Sequence, residues 1–168
     1  MIEYKAPQSY DTSNEAWIKN IYVFLGGSIE MGTAELWQNK VVEAFKDVPN
    51  VVFLNPRRDD WDSSWVQDPT PGTKFYEQVD WEMSSQEFAD IHIYYFADGT
   101  KSPITLLELG AYGCGSHTIV RCTPNFWRYG NVAMFSNRHG CTATETMEQV
   151  IEALAREIEY EKRFKGIE

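Results

Sequence analysis

Five short runs of apolar residues punctuate the chain, and the stretches between them mostly repeat apolar positions at helical spacing. Ile21 to Leu25 reads IYVFL, and Val51 to Leu54 reads VVFL. Ile91, Ile93, Tyr95 and Phe96 make a third run, His117 to Cys122 (HTIVRC) a fourth, and Asn131 to Phe135 (NVAMF) a fifth. Short aliphatic and aromatic runs bounded by turn residues predict buried strands. Thr33 is placed to cap a helix carrying Ala34, Leu36, Trp37, Val41, Ala44 and Phe45, which Pro49-Asn50 ends. Thr73 opens another, with Phe75, Val79, Glu82, Met83 and Gln86 near one face. Ser102 stands at an N-cap position before Pro103, and Ile104, Leu106, Leu107, Leu109 and Ala111 follow, apolar almost all round. Thr142 and Glu145 have capping-box spacing ahead of a last helix with Met147, Val150, Ile151, Leu154 and Ile158 on one face. Residues 1–19 read as an irregular polar lead-in to one domain spanning 1–168.

Strands alternating with helices imply an α/β fold, a parallel sheet covered on both faces. Ligands of such sheets bind outside the carboxyl ends of the strands, at the switch point. Three loops are expected there: Gly26-Gly27-Ser28, the long polar stretch 55–72, and the turn Asp98-Gly99-Thr100.

Charged positions that break the apolar pattern change the picture next. Glu108 stands alone among the apolar residues of its helix, and burying an ionised carboxylate without partners is very costly. Glu82 falls on the apolar side of the preceding helix, with Asp80 a little round from it. Two inward carboxylates suit glycosyl chemistry, in which one attacks the anomeric carbon and the other orients it or moves a proton. Asp59, Asp60 and Asp62 in the long loop and Asp98 in the later turn are further candidates, with a solvated loop or a plain turn as the simpler account of each. Gly27 and Ser28 can present backbone N–H groups to a hydroxyl or anion. The surrounding residues match neither a dinucleotide fingerprint nor a Walker sequence. Phe24, Trp61, Trp65, Trp127 and Tyr129 offer faces on which a nucleobase can stack, although packing accounts for each of them as readily.

Composition narrows the classes. The 168 residues are 43% hydrophobic and 24% charged, with a formal net charge of −10. That balance disfavours a polyanion such as nucleic acid as partner but leaves room for a small nucleoside pocket. Cys114, Cys122 and Cys141 form no CxxC pair, and His92, His117 and His139 lie far apart, so neither a metal site nor a catalytic triad is expected. No apolar run is long enough to span a bilayer and no leader is evident, so a cytoplasmic protein with no membrane contact is expected.

Five blocks, taken in order, carry a resemblance: FLGGSIEMGTAELWQ, VVFLNPRRDDWDSSW, FYEQVDWEM, ADIHIYYFADGTKSPITLLELGAYG and FWRYGNV. Together they resemble the nucleoside 2-deoxyribosyltransferase-like family, in its branch with an NPRRDDWD loop. The resemblance implies a flavodoxin-like, Rossmann-like three-layer sandwich with a five-stranded parallel sheet and no cofactor. It implies that Glu108 displaces the base of a 2′-deoxynucleoside and holds a covalent deoxyribosyl intermediate, which a free nucleobase then resolves. It makes Glu82 the orienting carboxylate. The family usually has Asp at that position, which leaves Asp80 as a rival. It gives Gly27, Ser28 and Ser102 to the sugar, and Asp59 or Asp60 to the base. It brings Asn131 from a neighbouring subunit, which implies a homo-oligomer with shared sites. Relatives that hydrolyse 2′-deoxynucleoside 5′-phosphates carry an Arg directly after GSI. Here the residue is Glu30, which would repel a phosphate dianion by about 1–4 kcal/mol at ~4 Å. Free nucleosides are therefore expected as substrates. Two other readings stay open: an N-glycoside hydrolase on the same site, and a non-enzymatic nucleoside-sensing module.

Overall fold

In the computed structural model, residues 1–28, 35–60, 62, 64–115 and 117–167 are described. The chain runs β1 (Ile2–Lys5), α1 (Asn14–Lys19), β2 (Ile21–Gly27), α2 (Trp37–Ala44), β3 (Val51–Asn55), α3 (Lys74–Phe88), β4 (Ile91–Tyr95), α4 (Pro103–Tyr112), β5 (Thr118–Arg121), α5 (Tyr129–His139), β6 (Thr142–Thr144) and α6 (Met147–Lys165). All six strands pair in parallel, in the order β1-β3-β2-β4-β5-β6. The fold is a three-layer α/β sandwich of Rossmann-like type with six strands, not five.

Alternation along the strands sorts the core into two faces, because successive side chains point to opposite sides. Val23, Leu25, Ile91, Ile93 and Tyr95 join Trp37 and Val41 of α2 and Val150 and Leu154 of α6 in one cluster. On the other face Tyr94, Val120 and Cys122 pack with Leu109 of α4 and Val132 of α5. Tyr22, Phe24, Val52 and Leu54 pack there with Trp17 of α1 and with Trp81 and Phe88 of α3.

Three expectations are corrected. Residues 1–19 are not irregular: they form β1, which adds an edge strand beside β3, and α1, capped by Ser13. Asn131 to Phe135 is not a strand but the middle of α5. A strand would place Val132 and Met134 on one face, yet Val132 is buried while Met134 is 77% exposed. Val132 and Ser136 are the buried pair, four residues apart, which is the helical repeat. The capping box is not Thr142 with Glu145. Thr142–Thr144 is β6, and the box lies four residues later. There the Thr146 hydroxyl accepts from the Gln149 N–H, and Gln149 Oε1 accepts from the Thr146 N–H, both at 3.2 Å. Between 142 and 149 the Thr-x-x-Glu/Gln spacing occurs twice, and pairing with β5 withdraws the first copy. Thr146→Ala is expected to cost about 1 kcal/mol of stability, read as a lower urea midpoint at unchanged slope.

Candidate active site

The order of strands reverses between β2 and β4: the chain steps from β2 outward to β3, then crosses back to β4 and continues to β5 and β6. The carboxyl ends of β2 and β4 meet there in close contact. A Cβ on Gly27 would lie 2.6 Å from the Tyr95 carbonyl oxygen and 2.8 Å from the Trp37 ring. One on Gly26 would lie 2.9 Å from the Phe24 and Tyr94 rings. Both glycines therefore serve close approach. The Ser28 N–H donates to the Tyr95 carbonyl at 2.8 Å. The Ser28 hydroxyl accepts from the Ala97 N–H at 2.9 Å and bonds the hydroxyls of Thr100 at 3.0 Å and Ser102 at 2.5 Å. These hydroxyls knit the first loop to the turn after β4. Ser102 occupies the N-cap position of α4, as expected, but in a left-handed conformation and without a side-chain capping bond. Its oxygen is taken by that hydroxyl cluster.

From this seam α3 and α4 bring two carboxylates together. Thr73 caps α3, its hydroxyl accepting from the Tyr76 N–H, and Pro103 starts α4. The inward stripe of α3 is polar: Gln78, Glu82 and Gln86 stand at successive four-residue steps. Gln78 and Gln86 are buried, whereas Met83, expected on the inward face, is 49% exposed. The Gln78 amide donates to the Pro56 carbonyl at 2.8 Å and to Glu82 Oε1 at 2.7 Å. The Gln86 amide donates to Glu108 Oε1 at 3.1 Å. The buried Tyr94 hydroxyl donates to Gln86 Oε1 at 2.7 Å.

Both carboxyls keep some surface, but protein fills most of the space around them. Burial pushes Glu82 up to about 7, against the bond from Gln78. Burial and then the charge of Glu82 push Glu108 up to about 8, against the bond from Gln86. Two carboxyls that face each other resist ionising together. Through the neutral range the pair holds a proton that either carboxyl can carry. One carboxyl can act as nucleophile while the other serves as acid.

The remaining candidates divide. Asp80 is exposed on the outer side of α3, so the structure sets Glu82, not Asp80, beside Glu108. Asp59 is exposed and paired with Lys5 at 2.8 Å. Asp60 is held by Arg58 through two bonds, at 2.8 and 3.0 Å, which lower its pKa. That is the wrong direction for an acid working at neutral pH. Asp98 accepts from the Thr123 hydroxyl, the Asn125 amide and Arg121, and these bonds likewise lower its pKa. It fastens the turn after β4 to the loop after β5. Phe24 has no exposed surface: it packs behind Gly26 and does not line open space. The Arg58 guanidinium and the Lys74 ammonium each lie over the Trp65 ring, 4.9 Å from its centroid, and tie the long loop to α3. Asn131 is exposed on the first turn of α5 and does not join the carboxylate pair. Ile29, Glu30, Thr33, Ala34 and Trp61 lie outside the described residues. A cavity of about 360 Å³ between α5, β5 and β6 contains neither carboxylate.

Gln78, Tyr94 and Thr100 did not stand out in the sequence. The spacing Gln-x-x-x-Glu-x-x-x-Gln on α3 was the available signal, since residues four apart share a helix face.

No individually curated protein matches the chain significantly. A family model described as nucleoside 2-deoxyribosyltransferase like matches residues 20–126, from the start of β2 to the loop before α5. That span is well over half of the chain and contains both carboxylates, both glutamines and the switch-point loops. The chain belongs to the nucleoside 2-deoxyribosyltransferase-like family.

Proposed function

We propose that the protein transfers 2-deoxyribose between nucleobases, with Glu108 as nucleophile. The observation that carries this reading is the juxtaposition of Glu108 and Glu82 at the sheet's switch point, each held by a glutamine amide from α3. A Glu108 oxygen attacks C1′ of a 2′-deoxynucleoside. The C1′–N bond breaks, its electron pair leaves with the base, and a C1′–O ester forms. The departing nitrogen takes a proton, which this reading assigns to Glu82, in the form of the pair that has its one proton on Glu82 and leaves Glu108 the anion. A nitrogen of the incoming base then attacks C1′ and releases the Glu108 carboxylate, while Glu82 recovers a proton.

Free nucleosides, not nucleotides, are the proposed substrates, on the ground that Glu30 follows the GSI of the first loop. The site is proposed to be shared between copies of the chain. Asn131 is exposed on α5, and a lone protomer leaves apolar side chains of α4 and α5 in water. Ile104 and Leu107 on α4 are 59% and 69% exposed, and Met134 on α5 is 77% exposed. Apolar side chains of this size, where they join in one patch, mark an interaction face.

The test is incubation of a 2′-deoxynucleoside with and without a second free base, followed by chromatography. Exchange into a new deoxynucleoside is expected only when the second base is present. Release of free deoxyribose without exchange would replace transfer by hydrolysis. A deoxyribose 5-phosphate product from nucleotides would overturn the substrate assignment made from Glu30. Binding of deoxynucleosides without any turnover would leave a sensing module.

A further inference from the structure

We propose that Gln86 is a positioning residue: its amide, locked by the Tyr94 hydroxyl, holds the Glu108 carboxylate in one orientation and favours its anionic form. The inference rests on the role given above to Glu108, and its test separates the two.

The geometry leaves the Gln86 amide a single sense. The Tyr94 side chain is fully buried on β4, and a phenol whose pKa burial has raised remains a donor at any working pH. Its O–H points at Gln86 Oε1 from 2.7 Å, so the oxygen of the amide must lie on that side. The amide nitrogen then faces two acceptors, Glu108 Oε1 at 3.1 Å and the backbone carbonyl of Glu82 at 3.3 Å. Turning the amide over would set its oxygen against both acceptors and its N–H groups against a donor. The backbone is held as well, since His92 Nε2 lies 2.8 Å from the Gln86 carbonyl. Gln86 is 2% exposed, and a buried amide is retained where its hydrogen bonds are met.

The groups that face Glu108 are few. Glu82 on α3 opposes its charge, and Tyr94 on β4 and Tyr112 on α4 itself are the nearby phenols. Glu87 lies against Tyr112 and Cys141 against Tyr94, one step further away. Among the described residues, Gln86 is the side chain that donates to Glu108. A hydrogen bond to a charged group is worth enough to change the population of the anion by about tenfold.

The experiment is a pH titration of the protein labelled with ¹³C at glutamate carboxyls. The Glu108 signal is identified by its loss in Glu108→Gln. In Gln86→Leu the Glu108 carboxyl is expected to titrate at higher pH than in the parent. Tyr94→Phe, which frees the amide to turn, moves it less in the same direction. In parallel, kcat/KM for deoxynucleoside cleavage is expected to fall about tenfold at pH 6 in Gln86→Leu and to approach the parent at pH 9. A purely structural loss would lower activity equally at every pH. An unmoved Glu108 titration in both variants overturns the proposal, and Tyr94→Phe decides alone if Gln86→Leu does not fold. A displaced titration in a protein that never cleaves deoxynucleosides upholds the relay and removes the deoxyribosyl role of Glu108.

Discussion

Glu108→Gln is expected to abolish base exchange, lowering kcat/KM by about 10⁴-fold or more, as loss of a covalent nucleophile does. The amide keeps the shape of the side chain but has no anion to offer C1′. The same variant carries a second, opposite expectation for stability. The Glu108 carboxyl is raised in the folded protein, to about 8 from an ordinary 4.5. Between those values the folded state binds more protons than the unfolded state. Stability from this group is therefore complete below the ordinary pKa and is lost as pH rises through the folded one. Replacing the acid by a neutral amide removes that loss. Glu108→Gln should thus melt at a higher temperature than the parent at pH 8.5 and show no such gain at pH 5. Melting curves at the two pH values check this, beside the exchange assay. A variant that exchanges bases normally would end the nucleophile assignment. One that gains no stability at high pH would show that Glu108 is not held in a desolvated place.

Glu82→Gln is the second large effect. The substitution keeps an oxygen for the Gln78 amide to reach and removes both charge and acid. Loss of a positioned acid costs typically 10²–10⁴-fold, and a fall in kcat of about 10²–10³-fold is expected. Because the charge of Glu82 is one of the causes that push Glu108 up, the acidic limb of the pH–rate profile should also move to lower pH. Asp80→Asn provides the contrast. Asp80 is exposed on the far side of α3, and its loss should leave kcat/KM within about twofold of the parent. Steady-state kinetics from pH 5 to 9 on the three proteins decide the matter. Equal losses at the two positions would return Asp80 to the site, and an unmoved limb would separate Glu82 from Glu108.

How far these residues could be foreseen depended on what signals each one. Glu108 was visible because an apolar helix made one carboxylate anomalous. Its helix was nonetheless less buried than its composition implied: Ile104 and Leu107 point outward, and hydropathy alone does not say whether an apolar face meets the core or a partner. Glu82 was visible through its place on α3, but the choice between it and Asp80 needed the helix to be docked. Two residues apart on a helix is a rotation of about 200°, so only one of them can face α4. Asp59, Asp60 and Asp98 had the right chemistry for a site, and in the structure each is bonded to a partner. Lys5 comes from β1, Arg121 ends β5 and Thr123 follows it, all far from their carboxylates in sequence, whereas the Asp60 partner, Arg58, is two residues away. Asn131 to Phe135 misled because a five-residue apolar run fits a strand and a helix turn alike, and the burial of Val132 with Ser136 decides for the helix.

The sequence by itself determined the alternation of strands and helices, the parallel α/β class, the switch-point loops and the isolated carboxylate of α4. Local periodicity, caps and turn residues act over a few positions, and those features are local. Tertiary structure decided the rest: the edge strands β1 and β6, the helical state of α5, the hydroxyl cluster of Ser28, Thr100 and Ser102, and the pairing of Glu82 with Glu108 through Gln78, Gln86 and Tyr94. Strand pairing, burial and the raised pKa values depend on what a residue meets across the fold. Glutamines such as Gln78 and Gln86 look like solvated helix residues until docking takes their water away and leaves two carboxylates as their acceptors.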